Sequence, residues 1–125
     1  FYGESSFRVG ANLSSTLRSD KTTGMFNSKK IKVNCIDISD FIIKNFNKDD
    51  YIILKMDIEG SEYDILPKML EDGLFDGYIN TLYGEWHLVK LKNISTQFHN
   101  NLVKKLQEKG FTMKLWCAET QTIGE

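Results

Sequence analysis

The chain reads as an open α/β sheet of mostly parallel strands with flanking helices. Strand-like and helix-like segments alternate from Ile31 to Cys117, and the segments Tyr51 to Asp57 and Tyr78 to Tyr83 are nearly continuous in apolar or aromatic residues. A helical pattern separates those two. Continuous apolar strands mark a sheet covered on both faces, and a helix between two strands lets them pair in parallel.

Taken in order, the chain opens with a region to which the pattern assigns no element, followed by a polar stretch from Ser14 to Lys30 rich in Ser, Thr, Lys and Asn. A loop that long inside a compact domain is either a functional lid or substrate loop or a disordered insertion. Ile31 and Val33 alternate with Lys32 and Asn34 as a half-exposed strand would. Phe41, Ile42 and Phe46 then recur at helical spacing behind a cap at Asp37 or Ser39. Tyr51 to Asp57 reads as a buried, central strand. Gly60 breaks it, and Ser61 can cap a helix with Asp64 three residues on. Tyr63, Ile65, Leu66, Met69 and Leu70 give that helix its apolar face, Pro67 is expected to start or kink a turn, and Gly73 ends it. The next strand runs to Tyr83 and leads into Gly84-Glu85-Trp86-His87. Ile94, Phe98, Leu102 and Leu106 step by four along another helix that starts at Ser95 or Thr96 and stops at Gly110. Alternation from Phe111 to Cys117 predicts a closing strand.

At 125 residues, with 41% hydrophobic and 12% aromatic side chains, the chain can build one core and is too short for two. Its 16 basic and 17 acidic residues are scattered and nearly cancel. That argues against a nucleic-acid surface or a polybasic membrane anchor, both of which need clustered positive charge. No apolar run approaches the ~20 residues of a membrane span. Cys35 and Cys117 are far apart in apolar surroundings with no CxxC pattern, so both are expected to be buried free thiols. A reducing, cytoplasmic setting follows from that expectation.

Ligands of open α/β sheets sit beyond the carboxyl ends of the strands. Two spots there carry chemistry: Asp57 with Glu59 and Glu62 after one strand, and Glu85 with His87 after the other. Neighbouring strands lie ~4.8 Å apart, so Asp57, Glu85 and His87 can share a ligand or a hard cation if their ends are level. A carboxylate ending an apolar strand is costly to desolvate unless it faces a polar site. Glu62, at a helix start, can equally serve only the helix dipole. His99 lies alone on a polar helix face. The nine glycines never form GxG, and GxxxxGK[ST], GxSxG and HExxH are absent as well.

The run Leu54 to Leu66, LKMDIEGSEYDIL, resembles the hallmark strand-turn-helix of the FkbM-type methyltransferases. Lys55, Asp57, Ile58, Glu59, Gly60, Ser61 and Glu62 fill its pattern. Val33 to Phe41, with Ile36 and Asp37, resembles the family's preceding strand and helix, Leu82 to His87 its next strand, and Ser14 and Ser15 its serine-rich loop. The resemblance implies a Rossmann-like sheet that uses S-adenosylmethionine and methylates a hydroxyl of a small molecule or sugar; the scattered charge gives no nucleic-acid or membrane partner to expect. On this reading Asp57, Glu85 and His87 at the strand ends are the catalytic candidates, Asp57 and Glu59 lie at the donor, Ser14 and Ser15 at the acceptor, and a divalent cation is a candidate helper. The family's glycine-containing donor loop would precede Phe1, so residues 1–125 resemble the C-terminal part of one domain, and the sheet they build is expected to be incomplete. Competing readings are a non-catalytic α/β fragment or partner-binding module, and an NTP-binding domain whose phosphate loop lies upstream.

Overall fold

The computed structural model describes residues 3–9, 17–18 and 29–116. The elements are β1 (Gly3–Val9), β2 (Lys29–Cys35), α1 (Ile38–Asn45), β3 (Ile52–Met56), α2 (Glu62–Glu71), β4 (Ile79–Gly84), a single 3-10 turn (Leu88–Lys90) and α3 (Thr96–Glu108). β3 and β4 are parallel, with α2 as the crossover between them. Their register runs from Ile52 opposite Ile79 to Met56 opposite Gly84, with one irregularity between Ile52 and Ile53. β1 and β2 form a separate antiparallel ribbon, from Gly3 opposite Cys35 to Val9 opposite Lys29. This is an α/β fold with an incomplete Rossmann-like sheet.

The core lies between the parallel pair and the helices. Leu66 and Met69 of α2 are fully enclosed, and Met56, Leu74, Phe75, Ile79, Leu82, Leu102 and Leu106 complete the cluster with Ile42 and Tyr63. Each such apolar side chain is worth about 1.5 to 3 kcal/mol in area removed from water. Helix ends are fixed locally. Asp37 caps α1 by accepting from the Ser39 and Asp40 amides at 2.8 and 3.2 Å, and Ser95 caps α3 by accepting from Phe98 N at 3.0 Å.

The structure departs from the sequence expectations in several places. Gly3–Val9 is a strand although its alternation is weak, because pairing with β2 satisfies its backbone. Lys29 and Lys30 belong to β2, so the polar stretch ends earlier than expected; apart from Leu17 and Arg18, the rest of it lies outside the described residues. Over its described residues, 111–116, the closing segment is not a strand. Only Lys114 bridges to Tyr83, through Gly84 N to Lys114 O at 2.9 Å and Lys114 N to Leu82 O at 3.0 Å, while Leu115 is exposed. β4 therefore lies between β3 and that bridge. β3, expected to be central, has one strand partner among the described residues and leaves Ile53 56% exposed. Ser61 precedes α2 but makes no side-chain cap bond, and Pro67 lies inside the helix, which continues to Glu71. In the second turn its missing N–H frees only the Tyr63 carbonyl. Cys35 is a free thiol, half-buried rather than buried; Cys117 lies outside the described residues.

Candidate functional site

Met56 and Gly84 are paired as the last residues of β3 and β4, so the chain leaves both strands at one level. Gly84 permits that approach. A Cβ there would lie 2.2 Å from the Met56 carbonyl oxygen. Beyond β3 the backbone turns sharply through Glu59 (φ 54°) and Gly60 (φ 107°), both in the left-handed region. A Cβ on Gly60 would also meet Leu91 at 2.7 Å and Arg18 at 2.9 Å.

This turn is closed by Glu62. Its carboxylate is fully buried at the first residue of α2 and reaches back, Oε1 accepting from Ile58 N at 3.2 Å and Oε2 from Gly60 N at 2.8 Å. The same Oε1 lies 2.8 Å from Nδ1 of His87, which is also buried. A buried carboxylate needs such partners, and this one has three. The hydrogen bond to Glu62 raises the His87 pKa above its ordinary value, against the opposing effect of burial; the charges of Glu62 and Glu59 add to the rise and that of Lys90 opposes it.

His87 Nε2 points the other way, toward the strand ends. It lies 3.6 Å from Asp57 Oδ1, 3.7 Å from Glu59 Oε1 and 3.7 Å from Glu85 Oε2, with no hydrogen-bond partner. One ligand atom from each of Asp57, Glu85 and His87 falls within 4.8 Å of the others. The side chains of Asp57 and Glu85 are half exposed, and Glu59 is paired with Lys90 at 3.6 Å. Such a group can hold hydroxyls, a cationic ligand or a cation. It repels phosphate, which counts against an NTP site here.

An aromatic wall stands behind the site. Tyr63 packs 5.4 Å from Trp86 and shares a 2.7 Å hydrogen bond with His99 Nδ1, and Trp86 meets the His99 ring edge-on at 4.9 Å. Burial pushes the Tyr63 pKa up, helped by the charge of Glu62, and pushes that of His99 down. His99 is thus part of a packed cluster, not an isolated surface residue. A groove of about 530 Å3 between α2 and α3 is lined by residues that include Pro67, Leu70, Phe98 and Leu102 and lies apart from the strand ends.

Ser14 and Ser15 lie outside the described residues. Asp57, Glu59, Glu85 and His87 are all brought to one edge. In the sequence Glu62 fits a site role and the helix dipole equally; the signal for the first is its place in the Asp-Ile-Glu-Gly-Ser-Glu run. Searches of curated proteins and of solved structures returned no match. The family model described as the methyltransferase FkbM domain matches residues 3–113, nearly the whole chain, and includes the strand-turn-helix and both sides of this edge. The chain belongs to the FkbM methyltransferase family.

Proposed function

We propose that the protein transfers the methyl group of S-adenosylmethionine to a hydroxyl oxygen of a small molecule or sugar. The observation that carries this reading is the buried His87 whose Nε2 faces three carboxylates at the carboxyl edge of the parallel pair. S-adenosylmethionine, when bound, supplies an electrophilic methyl group on a positively charged sulfur. Carboxylates fit that ligand: Asp57 and Glu59 can accept hydrogen bonds from its hydroxyl and ammonium groups and complement its charge. Glu85 and His87 line the acceptor side, where the hydroxyl is aligned and gives its proton to the Glu85 carboxylate or to water as the O–C bond forms, the C–S bond breaks and the sulfur leaves as a neutral thioether. The backbone bonds and His87 contact of Glu62 keep that side rigid.

The donor site is completed, on this reading, by a strand-loop segment pairing with the outer edge of β3. Two observations support it: β3 has one strand partner among the described residues, which leaves its other edge for such a segment, and residues 1–125 hold no GxG turn.

The test is incubation of the protein with S-adenosylmethionine labelled in the methyl group and a panel of sugars, polyols and phenols. The expected result is label in an ether linkage on one acceptor class. Label on nitrogen or carbon would contradict the hydroxyl assignment.

A further inference from the structure

We infer that the carboxyl edge of β3 and β4 binds a first-row divalent transition cation of the Mn2+ type, ligated by His87 Nε2 and by one oxygen each of Asp57 and Glu85. At this edge a buried nitrogen has nothing to bond. His87 is 2% exposed, and its Nε2 has no hydrogen-bond partner. An orphaned polar atom at that depth is costly.

Glu62 decides which nitrogen carries the proton. Its Oε1 lies 2.8 Å from His87 Nδ1, and a carboxylate accepts but does not donate, so Nδ1 is the donor. In the neutral ring Nε2 then presents a lone pair to Asp57, Glu59 and Glu85 at 3.6 to 3.7 Å. A lone pair and carboxylate oxygens cannot bond to one another, and the carboxylates repel each other. A cation placed among them satisfies every group at once.

Glu59 is engaged by Lys90 at 3.6 Å, which leaves Asp57 and Glu85 for the ion. The three ligand atoms lie within 4.8 Å of one another. Ligands about 2.1 Å from a shared ion sit closer together than that, so the site must contract by roughly 1 Å. Asp57 and Glu85 can do so, since their side chains are 53% and 50% exposed. One imidazole with two carboxylates favours Mn2+ and its transition-metal neighbours over Mg2+ and Ca2+, which prefer oxygen alone. The Glu62 contact is the carboxylate-histidine arrangement that orients metal-binding imidazoles. Three side-chain ligands leave coordination positions open. If the hydroxyl-methylation reading holds, the acceptor oxygen would occupy one of them, and its proton, made more acidic by the ion, would pass to water. The binding site itself stands without that reading.

Mn2+ alone, titrated into the 125-residue chain and followed by loss of the free-ion paramagnetic resonance signal, should bind saturably at one equivalent. Competition should show Mg2+ and Ca2+ to be at least about tenfold weaker. Asp57→Asn and Glu85→Gln, at exposed positions, should each weaken Mn2+ binding about tenfold or more, and Glu62→Gln by about ten- to a hundredfold. Glu71→Gln, on the exposed face of α2, should leave it unchanged. Circular dichroism establishes that each variant is folded; should Glu62→Gln fail to fold, the two exposed variants decide. No saturable binding, a preference for Mg2+, or parental affinity in Glu85→Gln overturns the proposal. A protein that binds Mn2+ but methylates nothing retains the site and loses the hydroxyl-methylation reading. Methyl transfer without Mn2+ binding does the reverse.

Discussion

Individual side chains show how much the local environment decides. Asp57 and Glu59 were legible because they stand in a recognisable run after an apolar strand. The role of Glu62 was not, since a glutamate opening a helix looks the same in sequence whether it is solvated or folded back under a turn. What folds it back is the left-handed pair Glu59 and Gly60, whose amide and that of Ile58 need an acceptor. A second charged group, Asp37, is held in a network. Its carboxylate caps α1 and lies 2.9 Å from Lys68 Nζ, which also bonds Asp72. The Lys68 ammonium holds the Asp37 and Asp72 pKa values below the ordinary 3.8. Their folded pKa values lie below their unfolded ones. The resulting stability is present above pH ~4 and fades as pH falls through the depressed values. Lys68→Met should therefore flatten the acid side of the stability curve between about pH 5 and pH 2 and remove the decline above about pH 10 that Lys68, its own pKa raised by Asp72 and Asp37, contributes, while leaving the range between alone; the overall effect is small because Lys68 is exposed. Urea unfolding across that range checks this, and an unchanged acid limb would show that Lys68 does not set those two carboxyls.

Elements were legible where periodicity and burial agree. The β3, α2 and β4 unit could be read because two apolar runs flank an amphipathic helix, and α3 because Leu102 and Leu106 follow a four-residue step to full burial. The segment after Gly110 misled for a physical reason. Alternation marks any extended chain with one covered face, and here a single bridge at Lys114 gives the same pattern without a ladder. β1 was silent because Gly3–Val9 owes its form to pairing with β2 rather than to an apolar face of its own. Gly84 tests the parallel unit most sharply. Any Cβ there collides at 2.2 Å with the Met56 carbonyl, a backbone atom that no rotamer change can move aside. Gly84→Ala should cost about 3 kcal/mol or more and separate the strand ends, since overpacking against backbone cannot relax locally. Chemical denaturation reads the loss, and a cost below ~1 kcal/mol would show that β3 and β4 do not approach so closely.

Across the whole molecule, no helix among the described residues is long and apolar enough to cross a membrane; one surface feature bears on association, the outer edge of β3. β3 has one strand partner among the described residues, so its other edge is a template for pairing with another chain, and Ile53, 56% exposed, adds an uncovered apolar side chain on that strand. Ile53→Lys should reduce self-association of the 125-residue chain, measured by light scattering against concentration; an unchanged profile would show that this edge does not drive association. The central claim is that methyl transfer takes place where β3 and β4 end together, with Asp57 at the donor. The most direct measurement compares kcat/KM for the donor in methyl transfer by the parent protein and by Asp57→Asn at saturating acceptor, with thermal stability followed in parallel. Asp57 is half exposed and supports no helix end, so the substitution should leave stability within ~1 kcal/mol while lowering kcat/KM by about tenfold or more. Activity within about threefold of the parent, less than ~0.7 kcal/mol of transition-state stabilisation, would contradict the account and remove Asp57 from the mechanism.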